Sequence, residues 1–193
     1  MKKIRAINEV FPEYGDAPGL EVVDFPWCDQ PESPETCTRY YFITLNRRVL
    51  GTAFEVTAKG YGGMIELMVG VDHDLTVSGI KVIRHSETPG LGANITTDKF
   101  GSQFADLRPD ATTWSLKKNG GDIDQISGAT ISSTAVMEAV HKGVDFFIEH
   151  RRAIMEKSIS AGTESGVHVE QEQSTVLSEK RSLRLIGGQE YGA

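Results

Sequence analysis

The chain lacks any apolar run long enough to cross a bilayer as a helix, which takes about 20 residues, and Met1-Lys2-Lys3-Ile4-Arg5 leads into Ala6-Ile7-Asn8-Glu9 rather than into an apolar signal-peptide stretch. As written, the polypeptide reads as soluble. It also lacks an excess of basic residues: 20 Lys and Arg against 27 Asp and Glu leave a formal net charge of -7. Without a basic stripe to follow a phosphate backbone, nucleic acid is excluded as a partner. Cysteine is scarce as well. Cys28 and Cys37 flank the acidic, proline-bearing segment DQPESPET, and their separation matches neither a C-x-x-C redox pair nor a haem-attachment motif. A disulfide across an exposed loop and two free thiols both fit that spacing. No metal site and no catalytic side-chain set is expected.

What is present suffices for one substantial domain with appendages in 193 residues. Ile4, Ile7 and Val10 repeat at helical spacing, so residues 2–10 predict a short amphipathic helix that Pro12 ends. Residues 38–84 are rich in β-branched and aromatic side chains, with turn signals at Asn46-Arg47, Gly60 to Gly63 and Asp72 to Asp74. That pattern predicts about four strands in consecutive hairpins. Thr97-Asp98 opens a helix through Phe104, and residues 131–157 carry the longest helical pattern, with Val136, Val140, Val144 and Phe147 on one stripe. Gly143 either weakens that helix or permits close packing. The fold class is therefore α+β, a mainly antiparallel sheet packed with helices. From residue 158 to 193 the chain turns rich in Ser, Glu, Gln and Gly, which predicts a flexible polar tail after a domain at 1–157. Within it, Leu183-Arg184-Leu185-Ile186 reads either as a strand or partner contact or as an incidental apolar cluster.

Two glycine-bearing loops hold the candidate site. The first, DQISGATISSTAV, runs from Asp124 to Val136 and ends where a helix begins. Gly128 lets backbone approach a ligand, and Thr130 offers a hydroxyl among the free N–H groups of a helix start, where the dipole favours an anion. Ordinary N-cap chemistry explains the same Ser, Gly and Thr. Asp124 reads equally as a recognition residue or as a carboxylate turning its own backbone. The second loop, HSETPGLGANI, runs from His85 to Ile95, where Pro89, Gly90 and Gly92 forbid regular pairing. It is either part of a site or a turn whose Leu91 fills the core. His85, His141, Tyr61 and Trp114 have plain readings as surface or core residues and are left outside the candidate site.

Together, with KKNGGDIDQ leading into the first loop, INEVFP at Ile7 to Pro12, GYGGMIELMVGVD at Gly60 to Asp72 and AVMEAVHKGVDFF at Ala135 to Phe147, these motifs resemble the covalent-FMN domain of the Rnf electron-transport complex G subunit. The C subunit of the sodium-translocating NADH:quinone oxidoreductase is a related, slightly poorer match. The resemblance covers most of the chain apart from its ends. It implies that Thr130 carries FMN through a phosphoester bond, with Ser127, Gly128 and Ala129 shaping the approach. It implies that Glu87, Thr88, Leu91 and Gly92 lie against the flavin, Leu91 packing on the ring and Thr88 offering a hydrogen bond. A side chain at Gly92 would then disturb flavin contact more than folding. It implies a separate flavin transferase, using FAD and a magnesium ion, so that protein made without it carries no FMN. The partners implied are other membrane subunits of an Rnf-type complex, and the place implied is the extracytoplasmic face of the cytoplasmic membrane. There a natural gene would supply an apolar anchor upstream of Lys2 that this chain lacks. A non-redox module holding a phosphorylated ligand without a bond, or a soluble flavin carrier, are the alternatives.

Overall fold

The computed structural model describes residues 2–14, 19–26, 37–46 and 48–164. Helix α1 (Lys2–Val10) precedes a five-stranded antiparallel meander: β1 (Gly19–Pro26), β2 (Cys37–Leu45), β3 (Arg48–Lys59), β4 (Met64–Asp72) and β5 (Val77–Arg84), in sheet order β1-β2-β3-β4-β5. A short helix α2 (Asp98–Gly101), tightening into a 3-10 turn at Ser102–Phe104, and the long helix α3 (Thr130–Glu164) complete the domain. The four strands expected between residues 38 and 84 are β2 to β5, turning where Asn46, Gly60 to Gly63 and Asp72 to Asp74 stand. Strand β1, not expected from the sequence, pairs with β2 from Gly19 opposite Thr44 to Pro26 opposite Cys37.

Strand alternation divides the sheet into two apolar faces. Tyr40, Phe42, Phe54, Val56, Leu67, Val69 and Val71 join one core with the α3 stripe Val136, Val140, Val144 and Phe147. Its centre is aromatic: Phe147 lies 5.5 Å from Phe54 and 5.9 Å from Tyr40, ring centre to ring centre. Tyr41, Ile43, Ala53 and Met68 face the other way and pack with Ala6, Ile7, Val10 and Phe11. Helix α1 lies close because Gly51 and Gly70 stand beneath it, where any Cβ would press on Phe11 or Val10. Its rim is tied by the Lys3–Glu55 ion pair at 2.8 Å. Tyr41 donates its hydroxyl to the same carboxylate, and burial, then that carboxylate, pushes the phenol up to about 12.

Helix α3 starts at Thr130, one residue ahead of the expected stretch, and runs through Glu164 rather than ending at Lys157. The last turns of α3, residues 158–164, thus overlap the start of the polar tail expected from residue 158. Residues 165–193, with Leu183-Arg184-Leu185-Ile186, lie outside the described residues, as does the question of a Cys28–Cys37 disulfide. Among the described residues no helix is long and apolar enough to cross a membrane.

Gly143 resolves into the close-packing reading. A Cβ there would stand 2.5 Å from Val56 Cγ1 and 3.0 Å from Phe54 Cε2, so its absence lets α3 settle onto β3. Gly143→Val should therefore destabilise the domain by about 1–3 kcal/mol, although valine is the better helix former. Urea unfolding checks this, and an unchanged midpoint would show that the helix does not need that approach.

Candidate functional site

The two loops singled out in the sequence meet. Thr88, Leu91 and Gly92 from one, and Gly128, Ala129 and Thr130 from the other, line a cleft of about 440 Å³, together with Tyr61, Glu87, Ile131 and Ser132. Ser127 is exposed and is not among these lining residues.

The start of α3 forms one wall. Ala129 is the last residue before the helix, and its carbonyl accepts the Ser133 N–H at 3.0 Å. The Ser133 hydroxyl donates to that same carbonyl at 2.9 Å and accepts the Ile126 N–H at 3.0 Å, folding loop and helix into one unit. Gly128 turns into this unit with φ of +75°, a left-handed conformation that glycine adopts without a Cβ clash. A Cβ there would also stand 3.1 Å from Leu91 Cδ2, across the cleft. Upstream, the Asp124 N–H donates to Gln103 Oε1 at 2.7 Å, and the Asp124 carboxylate pairs with Lys117 at 2.6 Å. That ion pair, rather than a bond to its own backbone, is what the Asp124 side chain makes.

The opposite wall is organised by Glu87. Its carboxylate accepts the Gly62 N–H at 2.8 Å, the Tyr61 N–H at 3.3 Å and the Ser132 hydroxyl, joining the β3–β4 turn to the first turn of α3. The Glu87 N–H donates to His85 Nδ1 at 3.1 Å. Glu87 is 5% exposed, so this loop residue belongs to the interior. Gly92 is buried beside it, and a Cβ there would run into Glu87 Oε2 and stand 2.8 Å from Ser132 Oγ. A side chain at Gly92 would therefore strike the junction that holds the loops, so a cost in folding is expected beside the effect on flavin contact.

Tyr61, set aside on sequence, projects from the glycine turn at the cleft rim and is 75% exposed. Leu91 and Ile131 line the same cleft while also exposed, so apolar surface faces solvent here at some cost. The signal in the sequence was Tyr61 between Gly60 and Gly62, an aromatic that a four-residue hairpin turn cannot bury. Trp114 lies outside the cleft lining, stacked on His141 at 4.8 Å, and His141 pairs with Asp145 at 3.0 Å.

A cleft with apolar walls, a helix start and a hydroxyl at that start suits a planar ring carrying a phosphate. The FMN-binding domain family matches residues 60–145, a span that contains every residue lining the cleft. The chain is 44% identical over 142 residues to the G subunit of the ion-translocating oxidoreductase complex of Methanosarcina acetivorans, covering 73% of this chain and 72% of that protein. It is 36% identical over 131 residues to the corresponding G subunit of Cereibacter sphaeroides, covering 64% of this chain and 59% of that one. The chain belongs to the family of ion-translocating oxidoreductase complex G subunits. Among solved structures it shares its fold with the C subunit of the Na(+)-translocating NADH-quinone reductase of Parabacteroides distasonis, at a TM-score of 0.52 and 21% identity over 76% of this chain and 87% of that one. Shewanella oneidensis NqrC, at 0.52 and 18% over 71% and 82%, has the same fold.

Gly92→Val is expected to lower the stability of cofactor-free protein by about 1–3 kcal/mol by forcing the Glu87 carboxylate from its donors. Thermal melts compared with Gly90→Val provide the check, since nothing lies within 4 Å of a Cβ at Gly90 and only its φ of +73° opposes a side chain. Equal losses at both positions would mean that backbone strain, not the junction, dominates.

Proposed function

We propose that this domain is an electron-transfer subunit of an Rnf-type ion-translocating oxidoreductase complex, and that it carries FMN on Thr130 through a phosphoester bond. The observation that carries the reading is the state of the hydroxyls at the start of α3. Ser132 and Ser133 are 1% and 0% exposed, and each is committed to a protein hydrogen bond. Thr134 does not line the cleft. Thr130 lines it, is only half-buried, and makes no side-chain hydrogen bond among the described residues. Among the described hydroxyls in the first turn of α3, its own is the one that lines the cleft and is available for a bond.

In the attachment step the Thr130 oxygen forms a bond to the FMN phosphorus of FAD, the pyrophosphate P–O bond breaks, and AMP leaves. The hydroxyl proton passes to a base on a separate flavin transferase. Helix α3 would then offer its N-terminal N–H groups and dipole to the phosphate, and Gly128 and Ala129 would keep the approach open. Tyr61, Leu91 and Ile131 offer apolar surface to the ring, and Thr88 stands in the same wall. When bound, FMN supplies one- and two-electron transfer, while the protein supplies orientation and electrostatics. A covalent tether retains the carrier where no cytoplasmic pool can replace it, which accords with a place on the extracytoplasmic face of the membrane beside the other subunits of the complex.

Co-expression with a flavin transferase should give a protein whose denatured mass is raised by one FMN moiety. Thr130→Ala should lose all of it while melting within a few degrees of the parent. Covalent flavin that persists in the alanine variant, or that maps to Ser132 or Ser133, would overturn the assignment. A phosphorylated ligand retained only under native conditions would instead identify a non-covalent binding module.

A further inference from the structure

Glu87 does more than the fold demands of it. Its buried carboxylate is met by two backbone N–H groups and one hydroxyl, all neutral. Among the described residues no lysine, arginine or histidine side chain pairs with it; His85, the nearest in sequence, accepts from the Glu87 backbone N–H instead. An uncompensated buried charge is costly, and dipoles alone leave its field active over the cleft that Glu87 lines. The joining of turn to helix does not need that charge. A glutamine in its place would accept the Gly62 N–H through its carbonyl and donate its amide to the Ser132 oxygen, giving up only the longer bond from the Tyr61 N–H and keeping both elements joined without a charge.

Resting on the FMN reading above, we propose that Glu87 sets the reduction potential of the cofactor. A negative charge on the cleft wall opposes the further negative charge that reduction brings, and so holds the potential down. The N-terminus of α3 acts in the opposite sense. Ser132 moderates Glu87, because its hydroxyl proton is directed at the carboxylate and offsets part of the charge.

The two ends of one hydrogen bond therefore move the potential in opposite directions. In flavinylated protein made with a transferase, Glu87→Gln should raise the midpoint potential above the parent, and Ser132→Ala should lower it, read by spectroelectrochemical titration. Both should lose some thermal stability in cofactor-free melts, since both disturb the same junction. A residue that only packs would shift both potentials the same way or leave both unchanged. Denatured mass of the parent is measured first: absence of covalent FMN there overturns the functional reading and this inference with it. With FMN in place, a Glu87→Gln potential at or below the parent, or a Ser132→Ala potential at or above it, overturns the role of Glu87 and leaves the cofactor assignment standing. If Glu87→Gln fails to fold, the Ser132→Ala shift decides alone.

Discussion

Three stretches of chain that are distant in sequence converge on the carboxylate of Glu87. It receives the N–H groups of the β3–β4 turn and the hydroxyl of Ser132, which lies 45 residues further on in the first turn of α3. Without this junction the Tyr61 turn, the Pro89-to-Gly92 loop and the start of α3 would be three independent surface features. With it they become walls of one cleft. The glycines around the junction follow from it: Gly60 and Gly92 stand where a Cβ would collide with the same carboxylate. Buried polar networks of this kind demand complete satisfaction, and this one recruits backbone donors from a turn whose own geometry is set by glycine.

The scaffold beneath the cleft is simpler physics. A meander sheet buries one face on the α3 stripe and the other on the short α1, and the aromatic cluster of Tyr40, Phe54 and Phe147 ties the helix to the middle strands. That packing fixes where the N-terminus of α3 points. The functional loops then need only short-range bonds, such as Ser133 to Ala129 and Gln103 to Asp124, to reach their final geometry.

Much of this was legible in the sequence. Strong alternation and clear turn residues placed β2 to β5, and the Val136–Phe147 stripe placed α3, because both signals are local and repeated. Strand β1 escaped because Val22-Val23 breaks its alternation and Pro26 argues against a strand, whereas an edge strand tolerates such a residue at its end. The extension of α3 to Glu164 escaped because polar residues without a stripe can continue a helix already nucleated by packing upstream. At the site, the two glycine loops were legible as motifs. The burial of Glu87 was not, since a glutamate before Thr-Pro-Gly reads as solvent-facing until partners 25 and 45 residues away fold over it. Tyr61 was underweighted for the converse reason: an aromatic is usually core, and only the turn geometry shows that this one faces solvent.

The central claim is that this cleft holds FMN covalently by its first helical residue. A crystal structure of the flavinylated domain tests it most directly. The account predicts unbroken density from Thr130 Oγ to the phosphorus, with the phosphate against the first N–H groups of α3 and the ring system against Tyr61, Leu91 and Ile131. Flavin bonded to a different side chain, or seated away from the cleft between the two loops, would contradict it.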